Sequence, residues 1–137
     1  MSTNPTGVDP GPSQTILVVE DEVLIRLVIA EYLRECGYKV YEAAHADEAL
    51  AVLQSPDVPI DIVFSDVVMP GTMDGFGLAR WIRANCPDIH VILTSGVDRS
   101  AEMAGKLCET GPLLEKPYEP QGVVDRIKQF RGKAGRS

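Results

Sequence analysis

Short apolar runs alternate along the chain with longer stretches in which apolar residues recur every three or four positions. Thr15 to Val19 (TILVV) is a continuous apolar run ending in the acidic group Glu20-Asp21-Glu22. Such a run predicts a strand buried on both faces, as in parallel sheets. From Glu22 to Cys36 the period changes. Ile25, Val28, Ile29, Tyr32 and Leu33 mark the inward stripe of a helix, and Gly37 is placed to stop it. The alternation then repeats. Lys39 to Ala43 predicts a second strand, and Ala46, Ala49, Leu50 and Leu53 a second helix, with a turn from Ser55 to Pro59. Ile60 to Ser65 predicts a third strand that delivers Asp66 at its C-terminal end. Asp74 is placed to cap a third helix whose apolar packing positions include Phe76, Ala79, Trp81 and Ile82. His90 to Thr94 predicts a fourth strand, followed by a weak helix from Arg99 to Cys108 that Gly105 interrupts. Leu113 and Leu114 suggest a short fifth strand, and Pro120 opens a last helix with Val123, Val124, Ile127 and Phe130 inward.

Five strand–helix alternations imply an α/β fold, a doubly wound five-stranded parallel sheet with helices on both faces. Right-handed crossovers make the flavodoxin-like strand order 2-1-3-4-5 the natural one. In such sheets the site lies beyond the carboxyl ends of the strands, at the switch point between the first and third. That rule gathers Glu20, Asp21, Asp66, Thr94 and Lys116 in one place.

Length and composition narrow the function. The 137 residues have room for one domain, expected over residues 14–132, with a polar Gly- and Pro-rich leader at 1–13 and a short basic tail at 133–137. The leader has neither a basic start nor an apolar stretch, unlike a signal peptide. No apolar run approaches the roughly eighteen residues of a spanning helix, so no membrane role is expected. The formal charge of −7 disfavours non-specific nucleic-acid binding, and the basic residues near the C-terminus read as a solvated tail. Cys36, Cys86 and Cys108 are widely spaced and lack a CxxC pair. They read as inert thiols in a reducing cytoplasm, against a disulfide framework or a zinc site.

Three carboxylates brought together repel one another and raise their own pKa values. A hard divalent cation relieves this, and Mg²⁺ favours a few carboxylates with waters and phosphate oxygens. Glu20 and Asp21 also read as helix-start acids favoured by the dipole, and Asp66 as the cap of the following loop. A carboxylate at a strand rim can attack phosphorus to give an acyl phosphate. Phosphoryl transfer then depends on positioning and on neutralising the equatorial oxygens, for which Mg²⁺, the Lys116 ammonium and the Thr94 hydroxyl are the candidates. Lys116 is otherwise a surface lysine. A cis bond before Pro117 would help aim it.

The group Glu20-Asp21-Glu22, the segment Ser65-Asp66-Val67-Val68-Met69-Pro70, Thr94-Ser95-Gly96 and Lys116-Pro117 resemble the signature of response-regulator receiver domains. The resemblance implies that Asp66 is the phosphoacceptor, and that Glu20 and Asp21 serve a Mg²⁺ site completed by the Val68 backbone carbonyl. It makes Thr94 the switch hydroxyl and Lys116 the phosphate-sensing lysine. The implied donor is a phosphohistidine on a sensor histidine kinase or histidine phosphotransfer protein. The chain is then no enzyme beyond its own phosphorylation and dephosphorylation. With too few residues after the last helix for an output domain, it would signal by contact with a downstream protein, as a monomer or a phosphorylation-dependent dimer, or serve as a phosphate relay or sink. Two features depart from the pattern. The loop from Met69 to Gly75 is one residue longer than usual, and Leu113 stands where family members commonly carry the aromatic residue that moves with the switch hydroxyl. The segment from Thr94 to Cys108 is still expected to be the mobile part. Leu27 and Ala30 suggest an apolar spot for kinase docking on the first helix. His45 and His90 have no metal-ligand spacing and read as structural or surface residues.

Three other functions compete. A flavodoxin-type cofactor protein needs a phosphate-cradling loop after the first strand, where this chain carries three acids. A phosphatase of the haloacid dehalogenase type needs a second acid two residues after the nucleophile, where Val68 stands. A degenerate receiver acting only as a binding module is the remaining alternative.

Overall fold

The computed structural model describes residues 14–109 and 120–135. Among the described residues, four strands form one parallel sheet: β1 (Thr15–Val19), β2 (Lys39–Ala43), β3 (Ile62–Asp66) and β4 (His90–Thr94). Their order is β2-β1-β3-β4, the expected order over the described strands. The fifth strand at Leu113 and Leu114, Leu113 itself, Lys116, the bond before Pro117 and the leader lie outside the described residues. Among the described residues there are five helices: α1 (Val23–Glu35), α2 (Ala46–Leu53), α3 (Gly75–Asn85), α4 (Val97–Glu109) and α5 (Pro120–Gly135).

The central strands show why continuous apolar runs were needed. Successive residues of a strand point to opposite faces, so each run feeds two cores. Ile16 and Val18 join Ile62, Phe64 and Ile92 in one core with α1, α4 and α5. Leu17, Val19 and Val63 join the other, with α2 and α3. The sheet is thus covered on both faces. α1 buries the expected Ile25, Val28, Ile29, Tyr32 and Leu33, and ends where Gly37 takes a positive φ of 101°, a conformation glycine adopts without the usual steric cost. Among the described residues, no helix is long and apolar enough to cross a membrane.

Several expectations are corrected. Ala30 is fully buried rather than part of an exposed spot, because α1 packs against neighbouring helices as well as the sheet and so buries a wider arc. Phe76 is 53% exposed. The inward face of α3 runs through Gly75, Leu78, Ala79 and Ile82, which leaves Phe76 off the stripe. α4 starts at Val97, two residues before the expected Arg99, and runs through Gly105, which is buried against the core. β3 starts at Ile62 rather than Ile60, and the Asp61 side chain just before it accepts the Thr15 N–H at 2.8 Å. Finally, Cys36 and Cys108 are joined as a disulfide rather than standing as separate thiols, and Cys86 is free. Tertiary packing brings their Cα atoms within 5.2 Å across 72 residues of sequence, a proximity that spacing alone does not reveal.

Candidate functional site

β1 and β3 are neighbours whose chains leave the sheet toward opposite faces, β1 into α1 and β3 toward α3. This divergence opens a crevice at their carboxyl ends. Glu20 follows the last residue of β1, Asp21 lies next to it, and Asp66 closes β3. One carboxylate oxygen from each of the three lies within 4.8 Å of the others. The cleft around them is also lined by Val68, Met69 and Ser100. Val68 therefore stands at the site, as expected, with its side chain exposed.

Local hydrogen bonds explain how the acids are held. Glu20 is only 8% exposed. Its backbone N–H donates to Ala43 at 3.0 Å, and its carboxylate accepts the Glu22 N–H at 2.9 Å. Arg26, one turn into α1, donates to the Glu20 carbonyl at 2.9 Å and to the Glu42 carboxylate at 3.2 Å. Its charge is thus paired with Glu42. Among the described residues, none of the ion pairs reaches Glu20, Asp21 or Asp66.

Concentrated negative charge has the expected electrostatic effect. Burial pushes the Glu20 carboxyl up from 4.5 to about 7; the Glu22 N–H opposes this, and the charges of Asp66 and Asp21 add to it. Asp66 is raised as well, first by burial and then by Asp21 and Glu22, against the lowering effect of the Val67 and Val68 N–H groups. Three carboxylate oxygens gathered in one crevice are suited to a hard cation such as Mg²⁺. The donor set fits.

Thr94 is the register partner of Asp66 across β3 and β4. It is 2% exposed, and its hydroxyl lies 2.9 Å from that of Ser100, in the first turn of α4. The Val67 N–H donates to the Thr94 carbonyl at 2.9 Å, which carries the pairing of β3 with β4 one step past Asp66. The expected residues Glu20, Asp21, Asp66 and Val68 are thus brought together, with Thr94 beside them; Lys116 lies outside the described residues.

Two residues that pattern reading passed over also shape the site. Ser100 ties Thr94 to α4; a lone serine in a polar helix start gives no sequence signal. Gly75 opens α3 with its N–H on the Val67 carbonyl at 2.8 Å. A Cβ there would lie 2.4 Å from the Asp66 carbonyl oxygen and 2.8 Å from the Val67 Cα. The sequence places Gly75 directly after the Asp74 cap, which does accept from the Gly77 N–H at 2.8 Å. His45 proves to be structural, as the cap of α2.

Comparison with known proteins extends these observations. Residues 16–128 match the family model described as "Response regulator receiver domain". The sensor kinase CckA of Brucella abortus is 44% identical over 123 residues, which cover 89% of this chain and 13% of that kinase. The chain spans about half the length of the transcriptional regulatory protein ResD of Bacillus subtilis, to which it is 33% identical over 122 residues covering 89% of this chain. Among solved structures, a response regulator receiver domain protein from Clostridium thermocellum superposes with a TM-score of 0.57 at 29% identity, covering 88% of this chain and 98% of that one. By family match, fold and the arrangement of its acidic crevice, the chain belongs to the response regulator receiver domains.

Proposed function

We propose that this chain is a phosphoacceptor of two-component signalling, with Asp66 taking a phosphoryl group from a phosphohistidine on a sensor histidine kinase or phosphotransfer protein. The observation that carries this reading is the position of Asp66 at the end of an apolar strand, with Glu20 and Asp21 within reach of one shared cation. A carboxylate oxygen of Asp66 attacks phosphorus in line with the departing group. The phosphorus–nitrogen bond of phosphohistidine breaks, the imidazole leaves, and an acyl phosphate remains on Asp66. Glu20, Asp21, Asp66 and the Val68 carbonyl would hold Mg²⁺, whose chemistry is to neutralise charge on the phosphoryl oxygens. The Val67 and Val68 N–H groups hold the Asp66 carboxylate toward its charged, nucleophilic form. Lys116 is the second cation of this reading, and Thr94, once released from Ser100, the hydroxyl donor. The chain catalyses only its own phosphorylation and dephosphorylation and acts on a downstream protein by contact, or passes the phosphoryl group on.

The partner class has structural precedent. A chain in the crystal structure of histidine kinase ThkA in complex with response regulator protein TrrA matches 61% of this chain at 37% identity and a TM-score of 0.56, over 70% of its own length. The exposed Val23 and Leu27 on α1, at the acidic end of the sheet, supply an apolar spot for such docking.

The test is intact mass after incubation with phosphoramidate, with and without Mg²⁺. One added phosphoryl group is expected in wild type with Mg²⁺, and none in Asp66→Ala or with chelator present. Should beryllofluoride, a non-hydrolysing phosphoryl mimic, also fail to bind, the phosphoacceptor reading is lost and the binding-module reading takes its place.

A further inference from the structure

We propose that Cys36 and Cys108 act as a redox clamp: oxidation fixes the C-terminal end of α4 to the end of α1, and reduction frees it. Cys36 is the C-cap of α1, and Cys108 lies in the last turn of α4. Both are buried, at 3% and 5% exposure, in the same core cluster, with Cα atoms 5.2 Å apart. Cys86 belongs to the opposite face of the sheet, so it does not compete for either partner. A hydrogen bond from the Tyr38 hydroxyl to the Leu107 carbonyl, at 2.5 Å, crosses the same junction. It is a reversible contact that the dithiol form can break and remake, so reduction leaves the end of α4 free to move and to return for reclosure.

The opposite end of α4 is tied to the site. Thr94 and Ser100 share a buried hydrogen bond. A movement of the Thr94 hydroxyl toward Asp66 must break or carry that bond. α4 is thus held at its start by a bond the site can release and at its end by a bond that only redox chemistry can release. Closing the clamp joins the two sulfurs and passes two electrons and two protons to a low-molecular-weight disulfide such as oxidised glutathione, whose own S–S bond breaks to give two thiols. If the clamp favours the arrangement seen here, linkage requires the reciprocal effect, so that occupation of the phosphoryl site favours the dithiol. That last step rests on Asp66 being the phosphoacceptor; the clamp itself does not.

The experiment equilibrates the full chain in oxidised and in reduced glutathione, then measures intact mass after thiol alkylation and amide exchange over Val97–Glu109. Oxidation is expected to protect Cys36 and Cys108 from alkylation and to slow exchange in α4 by roughly tenfold, the scale of ordinary coupling. Cys36→Ser/Cys108→Ser should exchange alike in both buffers. Should that variant not fold, the wild-type comparison decides alone. Both cysteines still alkylated after oxidation, or a linked protein whose α4 exchanges as fast as the reduced one, overturns the clamp. Beryllofluoride should bind the reduced form several-fold more tightly, and equal affinity overturns the coupling to the site. Beryllofluoride binding neither form removes the phosphoacceptor reading, while amide exchange still judges the clamp.

Discussion

Gly75→Ala is expected to destabilise the domain by about 3 kcal/mol and to slow phosphorylation of Asp66 on the order of 100-fold. The obstacle is backbone rather than side chain. An alanine methyl would meet the Asp66 carbonyl oxygen at 2.4 Å and the Val67 Cα at 2.8 Å. Neither atom can turn away as a flexible side chain would, so α3 or the end of β3 must move. Moving α3 strains the 2.8 Å bond from the Gly75 N–H to the Val67 carbonyl. Moving β3 displaces Asp66, the residue on which in-line attack depends, and displacements near 1 Å are enough for large rate losses. Gly122→Ala is the control. It lies in α5, and a Cβ there meets nothing within 4 Å, so alanine's better helix propensity should leave stability unchanged or raise it by up to about 1 kcal/mol. Urea midpoints at constant slope measure the stabilities. Initial rates with phosphoramidate, taken where circular dichroism shows both proteins folded, measure the chemistry. Equal midpoints for Gly75→Ala and wild type would mean that the close approach of α3 to β3 does not constrain the site.

The close approach also shows where reading the chain stops. The strands were legible because a sheet covered on both faces requires apolar residues at consecutive positions, and TILVV satisfies two cores at once. The acidic site was legible because strand ends in such a sheet converge, which turned Glu20, Asp21 and Asp66 from scattered acids into one constellation. Other features depend on neighbours that the local pattern does not name. Phe76 lies one position off an inward face set by Gly75, Leu78, Ala79 and Ile82. Leu78 and Ile82 fill the core from that face while Gly75 and Ala79 let α3 approach, and a large apolar side chain one position away is left exposed. Ala30 is small enough to pass for a surface residue, yet α1 buries it completely among neighbouring helices. The joining of Cys36 to Cys108 is a tertiary fact, as is the bond from Thr94 to Ser100. Gly75 was visible as a letter but not as a requirement, since a glycine beside a helix cap ordinarily signals a turn.

Glu20→Gln is expected to stabilise the metal-free protein at pH 8 while removing much of its response to Mg²⁺. Burial and the neighbouring charges hold the Glu20 carboxyl near 7 in the folded protein, against 4.5 ordinarily. Between those values the folded state keeps a proton that the unfolded chain has lost, so the unfolded state binds fewer protons and stability falls as pH rises. The contribution is fully present below about pH 4.5 and is lost as pH rises through about 7; at 1.36 kcal/mol per pH unit it amounts to about 3 kcal/mol. Asp66, raised for the same reasons, adds in the same direction. Other carboxylates titrate too, so the decisive quantity is the difference between wild type and Glu20→Gln across pH 5 to 8 in chelator. Glutamine keeps the shape and an acceptor for the Glu22 N–H but never ionises, so the difference should grow in favour of the variant as pH rises. Mg²⁺ binds the ionised carboxylates and competes with that proton. It should therefore stabilise wild type more at pH 8 than at pH 5.5, and flatten the pH profile. A wild type and variant that keep a constant difference from pH 5 to 8 would show that Glu20 ionises as an ordinary carboxylate, and the crevice would then have no electrostatic reason to recruit a cation through that residue.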